Sequence, residues 1–177
     1  MVRPVIIALG AVPAIVAVLI AIPLLTQPEI PSSAANPSDR IEIEYTRHQL
    51  RTVSHGVTER TGSHLTEILI IDDDGSLRYT VTEDGVPVPE VAGSIDGPTL
   101  KRLEALIKET GFLAMPSDSF PITEGIDEYQ KSSVRVTLNG VRNQIHWPEQ
   151  NATERTIPPI VTRVGEELDA IMDSMRS

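Results

Sequence analysis

The feature that most constrains this chain is an apolar run near its amino terminus, from Val5 to Leu25, that contains no charged residue. A helix needs about 20 apolar residues to cross the hydrocarbon core of a bilayer. The run contains Pro13 and Pro23, and membrane helices tolerate proline better than water-exposed helices do. We therefore predict that this run is a single transmembrane anchor, preceded by a short tail at residues 1–4.

A cleaved signal peptide is the alternative interpretation, because Ser33, Ala34 and Ala35 resemble a small-residue cleavage site. The run is longer than the ~7–15 apolar residues of a signal core, and the site lies well beyond its end. The length therefore favours a retained anchor. Arg3 precedes the run, so the positive-inside rule favours a cytoplasmic amino terminus. We expect a single-pass protein of the cell membrane that contacts the bilayer through residues 5–25, with its carboxy-terminal domain outside the cytoplasm.

The rest of the chain is predicted to be a spacer followed by one domain. Residues 26–39 are rich in proline, serine and alanine, which is typical of an extended linker. Residues 40–177 have the length of one ordinary domain. The net charge of −10 at pH 7 repels nucleic acid, so DNA and RNA are not expected partners. The absence of cysteine excludes disulfides and thiolate chemistry.

Three segments of the domain have the pattern of β-strands and hairpins. Residues 41–46 alternate apolar and polar side chains, which predicts a half-buried strand with Ile41, Ile43 and Tyr45 facing inward. Asn139-Gly140 is the preferred two-residue turn of a hairpin and would pair Leu138 with Val141. A second hairpin is predicted around the Asp-Gly pair of residues 72–75, with a loop of either two or four residues. Both loop lengths place the following residues on one face: Ile68, Ile70, Leu77, Tyr79 and Val81.

Two segments have the pattern of helices. Asp96 is a plausible N-cap with Pro98 in the first turn, and Gly111 closes this helix. Pro158-Pro159 opens a second helix. Between hairpin and helix, the prolines of residues 85–95 allow at most a short edge strand. The second helix has one apolar stripe made of Ile160, Val164, Leu168, Ile171 and Met175. The predicted fold class is α+β, an antiparallel sheet of about 4–6 strands with two helices packed on one face, preceded by one transmembrane helix.

No catalytic, metal-binding or nucleotide-binding motif is present, so we predict no enzyme, no metal and no cofactor. Asp72 and Glu83 match two positions of a calcium-binding loop, but the hairpin pattern explains the same residues. Asn151-Ala152-Thr153 is a usable glycosylation sequon. Two connections, 48–64 and 116–132, are longer than usual, and long connections are usually functional or disordered. The candidate partner-contact residues are His48, Arg51, His55, Arg60 and His64 in the first, and Phe120, Glu124, Asp127 and Glu128 in the second.

The stretch from Leu100 to Pro116, LKRLEALIKETGFLAMP, contains the first predicted helix and a Gly-Phe pair, and it is followed by a proline-bearing loop, Asp127 and the strand Val134–Leu138. This order resembles a family of small α+β domains that includes the emfourin-type protein inhibitors of thermolysin-like metallopeptidases. The resemblance covers most of residues 41–175 and implies a peptidase as partner. The chain departs from the family where its first strand runs into residues 48–63 instead of a short glycine-rich turn. No inhibitory residue is therefore carried over.

The expected function is a non-enzymatic, membrane-anchored binding module of the cell envelope, with a peptidase-inhibitor-like domain as one version. The alternatives are an envelope enzyme with an unrecognised carboxylate site and a structural subunit of a membrane complex. An enzyme should have a concave pocket with converging ionisable groups of shifted pKa, whereas a binding module should have exposed apolar loops and no such pocket.

Overall fold

The computed structural model describes residues 38–55, 58–109, 111–116 and 120–176. The predicted anchor, nearly all of the predicted linker and the alternative cleavage site lie outside these residues. In the described part of the chain, no helix is both long and apolar enough to cross a membrane.

The described residues form seven strands, two helices and two short 3-10 turns. The strands are β1 (Ile41–His55), β2 (Thr58–Ile71), β3 (Ser76–Glu83), β4 (Val86–Pro87), β5 (Val91–Ser94), β6 (Glu128–Leu138) and β7 (Val141–Pro148). The helices are α1 (Gly97–Glu109) and α2 (Pro159–Met175), and the 3-10 turns are Phe112–Ala114 and Gln150–Ala152.

All strand pairs of the single sheet are antiparallel, in the order β4-β3-β2-β1-β6-β7, with β5 also paired to β3. The α+β class is therefore confirmed. The strand number exceeds the predicted range because two short pieces, β4 and β5, share the outer side of β3. Pro87 and Pro89 allow only such short edge pairing, because proline has no amide hydrogen to donate.

The core lies between one face of the sheet and the two helices. Ile41, Ile43 and Tyr45 are buried on this face, as the alternating pattern predicted. The paired neighbours of Ile43, which are Ile71 and Val136, are buried with it. The helices cover them with fully buried side chains of Ile107 from α1 and of Val161, Val164, Leu168 and Met172 from α2. The opposite face of the sheet carries mostly polar side chains.

The sequence signals for both helices are confirmed. Asp96 Oδ1 accepts a 2.7 Å hydrogen bond from the backbone N–H of Thr99, which caps α1. Gly111 follows α1 with a φ of 74°, a conformation that favours glycine. In α2, the buried stripe differs from the predicted one at both ends. At the start of the helix Val161 is buried and Ile160 is half-buried, and at its end Met172 is buried and Met175 is half-buried.

The Asn139-Gly140 hairpin has the predicted register, with Leu138 opposite Val141. Both turn residues have positive φ, 51° and 82°, as a type I′ turn requires. The Asn139 side chain also accepts a 3.0 Å hydrogen bond from the backbone N–H of Arg40, so the turn is attached to the start of β1.

The predicted register of the other hairpin is wrong. Ile71 pairs with Leu77, and Leu69 pairs with Tyr79, so these four residues form the core face. Ile68 and Ile70 consequently lie on the opposite face, and both are only half-buried. A shift of one residue in register moves every side chain of a strand to the other face.

The cause is a loop of odd length. Asp72 N–H donates to Ser76 O over 3.0 Å, which leaves three residues in the loop instead of two or four. Gly75 adopts a φ of 85°, and a Cβ atom there would lie 2.9 Å from the carbonyl oxygen of Ile95. The tertiary contact with Ile95 therefore selects a glycine at this turn position.

The prediction that residues 48–64 form a connection is also wrong. β1 continues to His55 and β2 begins at Thr58, so this stretch is paired strand. A register shift between Gln49 and Leu50 keeps the two strands in pairing. Beyond Arg51, β1 has left its partner β6, and the two strands form a ribbon of Thr52–His55 and Thr58–Thr61. Several threonines and a valine favour such extended pairing.

Candidate functional site

A cleft of about 180 Å³ lies between α2 and the sheet, at the end of β7. Tyr45 of β1, Ser132 of β6 and Trp147 of β7 line it from the sheet. Gly165, Glu166 and Asp169 line it from α2, and Glu149 and Gln150 from the connection after β7. Four elements distant in sequence therefore meet at this cleft.

The sheet side of the cleft is aromatic. The rings of Tyr45 and Trp147 are nearly parallel, with centroids 6.4 Å apart and an interplanar angle of 16°. Gly165 lets α2 approach this wall, because a Cβ atom there would lie 3.2 Å from Cζ2 and 4.0 Å from Cε2 of Trp147. The Cζ2–Cε2 edge of the ring therefore faces α2.

Trp147 is 7% exposed, and its indole N–H donates to no acceptor among the described residues. An indole N–H is a donor only, and buried tryptophans usually have a partner for it. This donor is therefore available to a molecule in the cleft.

The remaining lining is acidic. Glu149 Oε1 accepts a 3.1 Å hydrogen bond from the backbone N–H of Gln130, but neither Glu149 nor Glu166 has an ion-pair partner among the described residues. No lysine, arginine or histidine of the described chain lines the cleft. The charged side chains among the described lining residues are therefore all acidic.

Asp169 is the α2 carboxylate of the cleft that is bonded to the sheet. Its Oδ1 accepts two hydrogen bonds of 2.9 Å, from the Tyr45 hydroxyl and from Nη1 of Arg47. Burial raises the pKa of Asp169, although the Tyr45 hydrogen bond and the charge of Arg47 oppose this effect. Burial likewise raises the pKa of Tyr45, so Tyr45 stays protonated and donates to the carboxylate.

A second charged group, the Glu67 cluster, consists of Glu67, Arg47, Tyr79 and Arg176. Glu67 is 3% exposed. Its Oε2 accepts from Nε and Nη2 of Arg47 over 2.9 and 2.8 Å, and its Oε1 accepts from the Tyr79 hydroxyl over 2.5 Å and from Arg176 Nε over 2.9 Å. Burial pushes the pKa of Glu67 upward, but these hydrogen bonds outweigh burial and hold the pKa below its ordinary value.

The structure brings some of the predicted contact residues together. Arg51 of β1 and Glu128 of β6 form an exposed ion pair over 3.1 Å. Next to it, the backbone N–H of Thr52 donates to the carbonyl oxygen of Asp127 over 2.6 Å. The two predicted connections are therefore joined at this point, as strand neighbours and not as free loops.

His48 lies on the polar face of the sheet, with Nδ1 2.9 Å from Thr66 Oγ1. Burial lowers the pKa of His48, and the nearby Lys131 and His146 lower it further. Lys131 and His146 line a hollow of about 280 Å³ together with Phe120, so this part of the second connection lies near the same face.

The other candidates are dispersed. His55 and Arg60 belong to the ribbon, and Arg60 is exposed. His64 lies at the base of the ribbon with its Nδ1 buried and unpartnered among the described residues. Glu124 lines a separate surface hollow of about 420 Å³, and Asn151 of the sequon is exposed.

The described residues contain no group of three or more histidine, aspartate or glutamate side chains that would hold a metal ion.

The sequence reasoning missed the cleft. It assigned Tyr45 to the core and gave no role to Trp147, Glu149 or Asp169. Tyr45 and Asp169 are 124 positions apart, and no local spacing connects them. The single tryptophan of the chain was the one available signal, because tryptophan is enriched at binding sites.

No protein-family model matches this chain, and no curated protein matches it.

Proposed function

We propose that this chain is a non-enzymatic binding module of the cell envelope, anchored by residues 5–25, whose binding site is the cleft between α2 and β7. The observation that carries the proposal is Trp147 at the cleft: its ring is 7% exposed, and its indole N–H has no acceptor among the described residues, beside two carboxylates without ion-pair partners. A hydrogen-bond donor and carboxylates that converge on one concave site without protein partners favour a binding role.

The size of the cleft supports a protein partner over a metabolite. Sites for small molecules have volumes of ~300–1,000 Å³, and this cleft has about 180 Å³. Such a volume suits one side chain inserted from a partner surface. The surrounding exposed residues, such as Gln150 and Thr162, would then contact the rest of the partner.

Site-specific photo-crosslinking in cells tests the site. A photoreactive residue at Thr162 or Gln150, both exposed at the cleft, should give an adduct with a protein. The matched control is Arg163, which neighbours Thr162 on α2 and is exposed but does not line the cleft. Equal adducts from Thr162 and Arg163, or none from either cleft position, would contradict the proposed site.

An envelope enzyme is the second candidate, because Tyr45 and Asp169 are ionisable groups with raised pKa in a concave site. Against this role, Asp169 already accepts from both Tyr45 and Arg47, so neither group is free to act on a substrate. Mass spectrometry of the captured partner separates the two functions. An unchanged covalent mass supports binding, whereas a cleaved or modified partner supports catalysis.

The class of partner and the anchor need their own tests. A peptidase is the partner implied by the resemblance to emfourin-type inhibitors, and titration of a thermolysin-like metallopeptidase with the chain should then abolish peptide cleavage. Full cleavage at about tenfold excess of the chain rejects this version and retains the binding module.

For the anchor, protease added to intact cells should remove the domain, and complete protection before lysis would contradict an outside location.

A further inference from the structure

We infer that the cleft binds the cationic side chain of a lysine or arginine presented by a protein segment. This inference rests on the proposed function and adds the chemistry of the ligand. It follows from three features of the cleft: its unpaired charge, its aromatic wall and its free donor.

The charge of the cleft selects a cation. Glu149 and Glu166 have no ion-pair partner among the described residues, and Asp169 shares Arg47 with Glu67. An anionic ligand would meet three carboxylates and no basic lining residue. A cationic group would instead be attracted by all three carboxylates that line the cleft.

The aromatic wall selects an organic cation over a metal ion. Tryptophan gives the strongest cation–π attraction of the aromatic side chains, and the flat guanidinium of arginine also stacks on it. Trp147 and the nearly parallel Tyr45 line the cleft from the sheet, and Glu166 and Asp169 line it from α2. The described residues hold no group of acidic and histidine side chains suited to a metal.

The free donor points to a peptide. The indole N–H of Trp147 needs an acceptor, and an ammonium or guanidinium group has none. The backbone carbonyl of a peptide provides it, a few bonds away from the basic side chain. A protein segment therefore satisfies both the carboxylates and the indole N–H, whereas a simple amine satisfies only the carboxylates.

Trp147 is the only tryptophan of the chain, so its fluorescence reports binding directly. The probes are N-acetyl-arginine methylamide and N-acetyl-lysine methylamide, titrated into the full chain in neutral detergent micelles. The neutral control is N-acetyl-citrulline methylamide, which has nearly the shape of the arginine probe without its charge. We expect a saturable change with either basic probe, weakened by added salt, and a much smaller one with citrulline.

Matched charge variants locate the effect. Glu149→Gln with Glu166→Gln should weaken binding of the basic probe about fivefold, the effect of removing two partly exposed charges. Glu83→Gln with Glu90→Gln, both exposed and away from the cleft, removes the same net charge and should leave binding unchanged. An equal response to citrulline and arginine, or equal losses in the two double variants, overturns the inference. A partner crosslinked at Thr162 would in that case still support the proposed binding module.

Discussion

Two neighbouring regions of this domain contain the same kinds of side chain and differ in how completely they are paired. In the Glu67 cluster, a nearly inaccessible carboxylate accepts from two arginines and a tyrosine. In the cleft, Glu149 and Glu166 lack ion-pair partners among the described residues, and the Trp147 N–H lacks an acceptor. The side chains of the first region are paired with one another, whereas several groups of the second are left to solvent or to a ligand.

Arg47 belongs to both regions. Its Nε and Nη2 donate to Glu67, and its Nη1 donates to Asp169 of the cleft. The planar guanidinium makes this possible, since it directs several donors into fixed directions. The comparison teaches that buried charge here joins α2 and the residue after it to the sheet, while the two glutamates at the cleft have no ion-pair partner among the described residues.

The largest expected effect comes from Glu67→Gln. Removing the negative charge leaves Arg47 and Arg176 without their shared counter-ion, and breaking a buried pair in this way costs about 3–5 kcal/mol. Urea unfolding of residues 36–177 expressed alone, which we expect to be soluble and cooperative, measures the loss. The matched control is Glu166→Gln on the exposed side of α2, which should change the free energy of unfolding by less than about 0.5 kcal/mol. Similar losses in both variants would contradict the comparison.

Arg47→Lys should have the next largest effect. The single ammonium group of lysine can approach Glu67 or Asp169 but cannot reproduce three donors in fixed directions. We expect a loss of about 2 kcal/mol in the free energy of unfolding, since hydrogen bonds to charged groups contribute about 1.5–3 kcal/mol each. Conversion of exposed Arg163 to lysine is the control. An undiminished stability in Arg47→Lys would mean that the bridge between the two regions is unimportant.

The two tyrosines should differ by a smaller amount. Tyr79→Phe leaves a nearly inaccessible carboxylate with one donor fewer, and we expect a loss of about 1–2 kcal/mol. Tyr45→Phe affects Asp169, whose side chain is 34% exposed and accessible to water, so we expect less than about 1 kcal/mol. Thermal and urea unfolding of both variants would measure the order, and a larger loss in Tyr45→Phe would reverse the comparison.

The smallest effect is a change in how stability depends on pH, and its sign differs between the two regions. The pKa of Glu67 is depressed below 4.5 in the folded state, so its stabilisation is present above that value and is lost as pH falls through the depressed pKa. The pKa of Asp169 is raised above 3.8, so the folded state gains stability as pH falls from above the raised pKa toward 3.8.

Removing each group should therefore change the acid side of the stability curve in opposite directions. Glu67→Gln should make the loss of stability at low pH shallower, because the depressed group no longer titrates. Asp169→Asn should make the loss between neutral pH and pH 4 steeper, because the group that gains stability on acidification is gone. Urea midpoints across this range measure both slopes, and slopes that change in the same direction would refute the assignment.

Local sequence signals predicted much of the fold where a short segment suffices to define the structure. The Asn139-Gly140 turn, the Asp96 cap and the alternation of Ile41, Ile43 and Tyr45 each depend on neighbouring residues, and the structure agrees with them. The ribbon was missed because its polar residues lack the apolar alternation of a half-buried strand. Its strands are held by pairing with each other.

The sequence by itself determined the α+β class, one hairpin register, the helix ends and an apolar run long enough for a membrane anchor, because periodicity and turn chemistry act over a few residues. Only the tertiary structure decided the odd-length loop at Gly75, where the close approach of Ile95 selects the turn and thereby the face of a whole strand. It also decided the cleft, because Tyr45, Trp147 and Asp169 have no relation along the chain until the sheet and α2 pack together. Charge pairing depends on such long-range packing, so the difference between a completed cluster and an open site becomes visible only in three dimensions.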